Sequence, residues 1–232
     1  MKETPINREL VDKIINELKI TQIGKASIRE IKRLINLIEE ESGEKFIRME
    51  MGIPGLPAPR IAIEAEKAAL DSGVASLYPD IEGIPGLKKE IARFVKNFLD
   101  VNISPASCIP TVGSIHGAFA TFMVTYRMNT KRDTVLFIDP GFPVHKQLVK
   151  MIGLKQESFD VCNFRGDKLK EKLVSFLDKG NISAILYSNP NNPSWICFNE
   201  DELKIIGEIA DKYDVVIVED LAYFAMDFRK DL

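Results

Sequence analysis

The sequence predicts an α/β domain with a mainly parallel sheet. Three apolar runs have the length and the aliphatic content of buried strands, namely residues 134–138, 183–188 and 214–220. Helical patterns separate them, so strands and helices alternate from residue 109 to residue 220. Because right-handed crossovers join parallel strands, we expect the loops that follow the strands to meet at one edge of the sheet.

The composition is typical of a soluble globular protein, with 45% hydrophobic and 28% charged residues in a chain of 232. The net charge of −3 gives no reason to expect nucleic acid or an anionic membrane surface as a partner. No signal segment or apolar run of membrane-spanning length is visible, and three widely spaced cysteines favour a reducing cytoplasm. Two isolated histidines, His116 and His145, argue against a zinc site.

The first 59 residues differ in pattern from the rest. Amphipathic helices are predicted at 8–19 and 27–41, either as surface helices on a core or as an arm that docks on a partner subunit. A short strand is predicted at 45–49. The Gly- and Pro-rich stretch 51–59 fits no regular element; it is either a connector or a loop whose small residues approach a ligand. We place a domain boundary after residue 59.

Helices are predicted at 60–72 and 87–98, and Pro85 is compatible with a first helical turn. The stretch between them is rich in turn residues. It contains Tyr78, which we interpret from its position in a loop as a half-buried anchor.

An extended segment at 109–112 runs into Gly113 and Ser114, and the pattern continues as a helix to residue 126. Small residues at a helix start leave free N–H groups at the positive end of the helix dipole, which suits a phosphate. Gly and Ser also cap helices for structural reasons. The segment matches neither the P-loop nor the dinucleotide-binding motif.

The remaining loops carry polar and aromatic groups at strand ends. Phe142 follows the strand 134–138 and either enters the core or covers a ligand face. Asn192 lies in the Asn/Pro turn after the second strand, and Asp220 and Tyr223 follow the third. A buried carboxylate is destabilising unless a cationic or hydrogen-bonding group meets it. A flat, phosphorylated ring that contains nitrogen would satisfy this set of loops.

The run Asn189-Pro-Asn-Asn-Pro-Ser194, with Asp220-Leu-Ala-Tyr223 after an aliphatic strand, resembles the fold-type I aminotransferases of class I and II, which use pyridoxal 5′-phosphate. The resemblance extends from the loop 51–59 to the end of the chain. It implies a three-layer sandwich with a mainly parallel sheet and an N-terminal helical arm. Residues 60–232 would be the cofactor-binding large domain, incomplete at its C-terminus, and the protein a homodimer.

The resemblance also implies roles for single residues. Asp220 would pair with the pyridinium nitrogen, Asn192 and Tyr223 would hydrogen-bond the phenolic oxygen, and Phe142 would stack on the ring. The backbone of Gly113, Ser114 and Ile115 would hold the cofactor's phosphate. Tyr78 would reach the phosphate of the neighbouring subunit's cofactor. Gly52 and Ile53 would line the substrate side of the site.

Two departures from the family pattern stand out. Trp195 occupies the position where the family usually has glycine, which would narrow the substrate side. The Schiff-base lysine is expected beyond Leu232, because Lys230 follows Tyr223 too closely to match it. We therefore expect an inactive fragment of a parent enzyme that transfers an amino group between an amino acid and a 2-oxo acid. A β-lyase or decarboxylase of the same fold, and a non-catalytic ligand-binding protein, are the alternatives.

Overall fold

The computed structural model describes residues 6–52, 55–224 and 226. The chain divides into two compact units, Met1–Leu77 and Tyr78–Leu232. Each unit has its own arrangement of helices and is described by itself.

In the first unit, helices α1 (Arg8–Glu17) and α2 (Ile28–Ser42) pack on each other through the buried side chains of Ile14, Leu34 and Ile38. Helix α2 begins with a capping box in which Ser27 and Glu30 bond each other's backbone N–H groups, and it ends at Gly43. Helix α3 (Arg60–Asp71) follows the Gly/Pro-rich stretch.

The strand predicted at 45–49 is wrong, since these residues form no regular element. Their polar groups bond side chains of α2 instead of a strand partner. The Phe46 N–H donates to Glu39 Oε1 at 2.9 Å, and the Arg48 guanidinium donates to Asn36 Oδ1 at 2.8 Å. These bonds to α2 therefore hold the segment without a strand partner.

The second unit contains a parallel sheet with the strand order β2-β1-β3-β4 among the described residues. Its strands are β1 (Thr134–Asp139), β2 (Lys155–Asp160), β3 (Ile182–Ser188) and β4 (Val216–Asp220). Helices α4 (Pro85–Leu99), α5 (Ser114–Met128), α6 (Pro143–Met151), α7 (Asp167–Leu177) and α8 (Glu200–Tyr213) complete the unit. The predicted α/β class with a parallel sheet is confirmed.

Alternate side chains of the strands point to opposite faces, and each face carries a separate core. Val135, Phe137 and Leu186 pack against α5 and α6 around Phe122 and Val149. Leu136, Ile185 and their neighbours pack on the other face against α7 and α8, around the fully buried Leu169, Leu173 and Ile206. The sheet is therefore the middle layer of three.

Element ends differ from the predicted ones by a few residues. Strand β4 begins at Val216 and not at Asp214, because Asp214 closes helix α8 in the left-handed conformation, with φ 51°. Helix α5 begins at Ser114, directly after the glycine that ends the extended segment. Within the described ranges, no helix combines the length and apolarity needed to cross a membrane.

Candidate functional site

Asp220 is the last residue of β4, and its side chain lies at the carboxyl end of the sheet with 15% of its surface exposed. Its Oδ1 accepts a hydrogen bond from the Ala222 N–H at 3.0 Å. Its backbone carbonyl accepts one from the Asn189 N–H at 3.1 Å, which joins the loops after β3 and β4. The edge expected from the topology thus places this carboxylate beside the Asn/Pro turn.

His145 is the neighbour of Asp220 that the sequence did not reveal. It lies in the first turns of α6, 3% exposed, with Nε2 3.7 Å from Asp220 Oδ2. Burial lowers the pKa of His145, and the negative charge of Asp220 offsets part of this effect. Its Nδ1 has no hydrogen-bond partner among the described residues.

The start of helix α5 lies near this pair. Gly113 precedes the helix in a backbone conformation that favours glycine, with φ 79° and ψ 161°, and no side chain in the described part of the chain caps the first turn. A Cβ built on Gly113 would meet no atom within 4 Å, so the approach to the helix N-terminus is open. Such an N-terminus suits an anion.

A cleft of about 450 Å³ joins these groups. Ser114, His145 and Asp220 line it, together with Gly117, Ala118, Thr121, Leu186, Val218, Glu219, Leu221 and Ala222. Its volume falls in the range of about 300–1,000 Å³ that is usual for small-molecule sites. Ser114 at the helix start and Asp220 at the strand end are 106 residues apart in the sequence, and both line this one cleft.

The Asn/Pro turn is built around Asn191, which is 5% exposed. Its Nδ2 donates to the Pro140 carbonyl at 2.5 Å and to Ser188 Oγ at 3.1 Å, and its Oδ1 accepts from Ser194 Oγ at 2.6 Å. Asn192 is half-buried beside it, with its backbone N–H 3.4 Å from Ser188 Oγ. Asn191 therefore holds the turn.

Two aromatic contacts flank the site. The Phe142 ring meets the His145 ring edge-to-face, with 5.6 Å between centroids. The Trp195 ring meets the Tyr223 ring in the same manner at 6.3 Å. Phe142, Asn192 and Tyr223 lie on the loops at this edge of the sheet but do not line the cleft itself.

The other predicted site residues lie apart from the cleft lining. Ile115 is 44% exposed on the first turn of α5, and Tyr78 is fully exposed instead of half-buried. Gly52 is exposed in the first unit. Ile53 lies outside the described residues.

A family model for aminotransferase class I and II matches residues 44–231, which is most of the chain. The chain belongs to this family. The match begins directly after helix α2 and includes every element of the second unit that forms the cleft. The class I and II assignment therefore agrees with the resemblance seen in the motifs.

Individual members of the aminotransferase class I and II family agree with the match. A probable aspartate aminotransferase of Methanocaldococcus jannaschii is 28% identical over 203 residues, covering 86% of this chain and 51% of the relative. An S-alkyl-thiohydroximate lyase of Arabidopsis thaliana is 26% identical over 208 residues, covering 86% of this chain and 44% of the relative. The structure of an alanine aminotransferase from Pyrococcus furiosus superposes with a TM-score of 0.73 at 25% identity, covering 87% of this chain and 51% of that structure's chain. The chain thus spans about half the length of these relatives.

Proposed function

We propose that this chain is the cofactor-recognition part of a pyridoxal-phosphate-dependent aminotransferase that acts on an amino acid and a 2-oxo acid. The observation that carries the proposal is the cleft in which Asp220 and the open N-terminus of α5 face the same space. The family membership supports it, and the activity proposed is that of the whole protein.

The residues present fit the chemistry of the cofactor. A phosphate needs several N–H donors and a positive potential, and the uncapped first turn of α5 supplies both. A protonated pyridine nitrogen needs an anionic acceptor, and Asp220 is a partly buried carboxylate whose described partners are one backbone N–H and His145. The two features lie on one cleft, as the two ends of one ligand require.

Asp220 would keep the proton on the ring nitrogen, and the bound pyridoxal 5′-phosphate would then supply an electron sink for the substrate's α-carbon. His145 lies 3.7 Å from Asp220 Oδ2, and because burial lowers its pKa it would stay neutral and leave the charge of Asp220 to the ring. Asn192 and Tyr223 would bond the phenolic oxygen, Phe142 would cover one face of the ring, and Gly113, Ser114 and Ile115 would hold the phosphate.

No lysine lines the described cleft, so we propose that the lysine that carries the cofactor belongs to a part of the protein that this chain does not span. Amino-group transfer needs such a base at the α-carbon. Gly52 and Ile53 are proposed for the substrate side. The exposed Tyr78 fits a role at a second subunit's phosphate, and with it a homodimer. The cytoplasm is the proposed location, in keeping with three free cysteines.

Binding of pyridoxamine 5′-phosphate to the chain tests cofactor recognition, because this amine form cannot react with surface lysines. Calorimetric titration should show binding that Asp220→Ala abolishes. Asp201→Ala, which removes an exposed carboxylate from the first turn of α8, is the matched control and should leave the affinity unchanged. Equal affinities of the two variants would refute the assignment of Asp220.

The full-length protein tests the activity. It should contain bound cofactor with absorption near the visible edge, and it should convert a 2-oxo acid to the matching amino acid. A β-lyase is the second candidate, since one relative is named as a lyase. Incubation with a sulfur amino acid separates the two, because a lyase releases a thiol without an amino-group acceptor. A full-length protein that binds no cofactor would refute both and favour a non-catalytic ligand-binding protein.

A further inference from the structure

Trp195 adopts a backbone conformation that is unfavourable for a large side chain. Its φ is +58°, in the left-handed region where a bulky residue is a genuine outlier. The family that the chain resembles usually has glycine here, for which this conformation is unstrained. A tryptophan at such a position persists only where the surrounding structure imposes it, and these outliers cluster at functional sites.

The surrounding turn does impose the conformation. The Trp195 N–H donates to the Asn191 carbonyl at 2.8 Å, and the Asn191 N–H donates to the Ile196 carbonyl at 3.0 Å. Ser194 adds a bond from its hydroxyl to the buried Asn191 side chain. The backbone of Trp195 is thus fixed from both sides, and the turn sets the direction of its Cα–Cβ bond.

The indole ring extends from this turn to the loop after β4. It meets the Tyr223 ring edge-to-face, with 6.3 Å between centroids and 72° between planes. Tyr223 is half-buried, and Trp195 remains 47% exposed, so the contact lies at the surface of the edge that carries the cleft. Such pairs prefer this geometry, in which the positive edge of one ring faces the other ring.

We infer that Trp195 is a positioning residue that holds Tyr223 at a fixed distance from Asn192. The inference rests on the proposed function, in which these two side chains bond the same oxygen of the cofactor. Asn192 belongs to the turn that fixes Trp195, and Tyr223 belongs to the loop that the indole reaches. The ring contact therefore connects the loop that carries Asn192 with the loop that carries Tyr223. Glycine at residue 195 would leave the loops without this connection.

The contact itself can be tested without any ligand. Trp195 is the single tryptophan of the chain, so indole fluorescence reports on this position alone. Tyr223→Leu should change the emission maximum and anisotropy of the free chain, whereas Tyr126→Leu, a tyrosine on α5, should not. Unchanged emission in the Tyr223 variant would overturn the inference, whatever the cofactor does.

The positioning role is tested by two substitutions that separate ring from backbone. Trp195→Phe keeps an aromatic ring in the strained conformation, while Trp195→Asn tolerates the left-handed conformation but removes the ring. We expect Trp195→Phe to bind pyridoxamine 5′-phosphate within about twofold of the wild type. Trp195→Asn should bind it about two- to tenfold more weakly, the effect of one aromatic pair.

A purely structural role for residue 195 gives the opposite order, because Asn relieves the strain that Phe retains. Equal or tighter binding by Trp195→Asn therefore overturns the positioning role while leaving the proposed cofactor site intact. Absence of binding by the wild-type chain, with the fluorescence contact present, refutes the proposed cofactor site and the positioning role that depends on it. Loss of affinity in Trp195→Asn that persists in a Tyr223→Leu background also overturns the inference, since the effect would then not pass through Tyr223.

Discussion

Glu202 is a buried charge on α8 that is paired on all sides. Its side chain is 2% exposed and accepts hydrogen bonds from Arg165 Nε at 2.6 Å and Arg165 Nη2 at 2.5 Å. The N–H groups of Gly166 and Asn199 add bonds at 3.0 and 3.1 Å. Arg165 also donates to the Cys197 carbonyl, so the cluster fixes the chain that leaves the Asn/Pro turn.

These bonds lower the pKa of Glu202 from 4.5 to about 2, chiefly through the Arg165 guanidinium and against the effect of desolvation. A difference of this size between the folded and unfolded carboxyl corresponds to about 3 kcal/mol of stability. Because the folded carboxyl binds a proton more weakly than the unfolded one, this stabilisation is complete above about pH 5 and is lost as the pH falls towards 2.

Glu202→Gln should therefore lower the free energy of unfolding by about 3 kcal/mol at pH 7 and by about 1.4 kcal/mol at pH 3, because the wild type has lost part of the stabilisation there. Urea denaturation at the two pH values measures both differences. Glu200→Gln, an exposed partner of Lys204 on the same helix turn, is the control and should leave both midpoints nearly unchanged. The same loss in Glu202→Gln at both pH values would refute the reasoning, because the stabilisation would then not depend on the ionised carboxylate.

Three further predictions concern the site. Burial lowers the pKa of His145, so the folded state keeps it neutral while the unfolded state takes up a proton below about pH 6.5. The stability of the folded chain should therefore fall as the pH is lowered from about 7.5 to about 5.5. His145→Phe should reduce this fall in thermal melts. Asn191→Ala should destabilise the chain by about 2–3 kcal/mol in urea titrations, whereas Asn192→Ala should cost under about 1 kcal/mol yet weaken binding of pyridoxamine 5′-phosphate. Gly113→Ala should cost about 1–3 kcal/mol, because φ 79° with ψ 161° is a conformation that essentially only glycine adopts, and should lower the affinity for pyridoxamine 5′-phosphate in the same calorimetric assay; unchanged affinity would contradict the proposed phosphate position.

The sheet and its carboxyl edge were predictable because their signals are local. Strands β1, β3 and β4 are short aliphatic runs, and the topology rules then place their post-strand loops on one side. This reasoning was enough to predict that Ser114 and Asp220 would be neighbours, as the cleft shows. The roles assigned to these residues stay predictions.

The sequence did not predict His145 as a site residue, because its importance depends on its contact with Asp220, which lies 75 positions further along the chain. Locally it is one polar residue in a helix. A weak signal was present, since Leu148 and Val149 follow at the i+3 and i+4 positions and are buried with it. That spacing places His145 on the inward face of α6, where a titratable group is unusual.

The segment 45–49 shows the opposite error. Its apolar and β-branched residues favour a strand, but a strand also needs a hydrogen-bonding partner, and the sequence pattern carries no information about one. The side chains of α2 satisfy these residues instead. Tyr78 is a similar case, because a turn-rich stretch with an aromatic residue does not say whether the ring packs inward, and here it does not.

The departures from ordinary packing rules lie together in the second unit. The Glu202 carboxylate has a full set of protein partners for its buried charge. At the carboxyl edge, by contrast, His145 Nδ1 lacks a partner in the described chain, and Trp195 is held in an unfavourable conformation. Asp220 lies 3.7 Å from His145, a histidine whose pKa is lowered by burial. A ligand that brings a protonated ring to Asp220 would compensate for this arrangement, and its binding would raise the stability of the unit with the logarithm of its concentration relative to its Kd. The carboxyl edge of the sheet keeps a polar group without a partner in the described part of the chain, so a ligand bound there should change the stability of the unit more than one bound elsewhere.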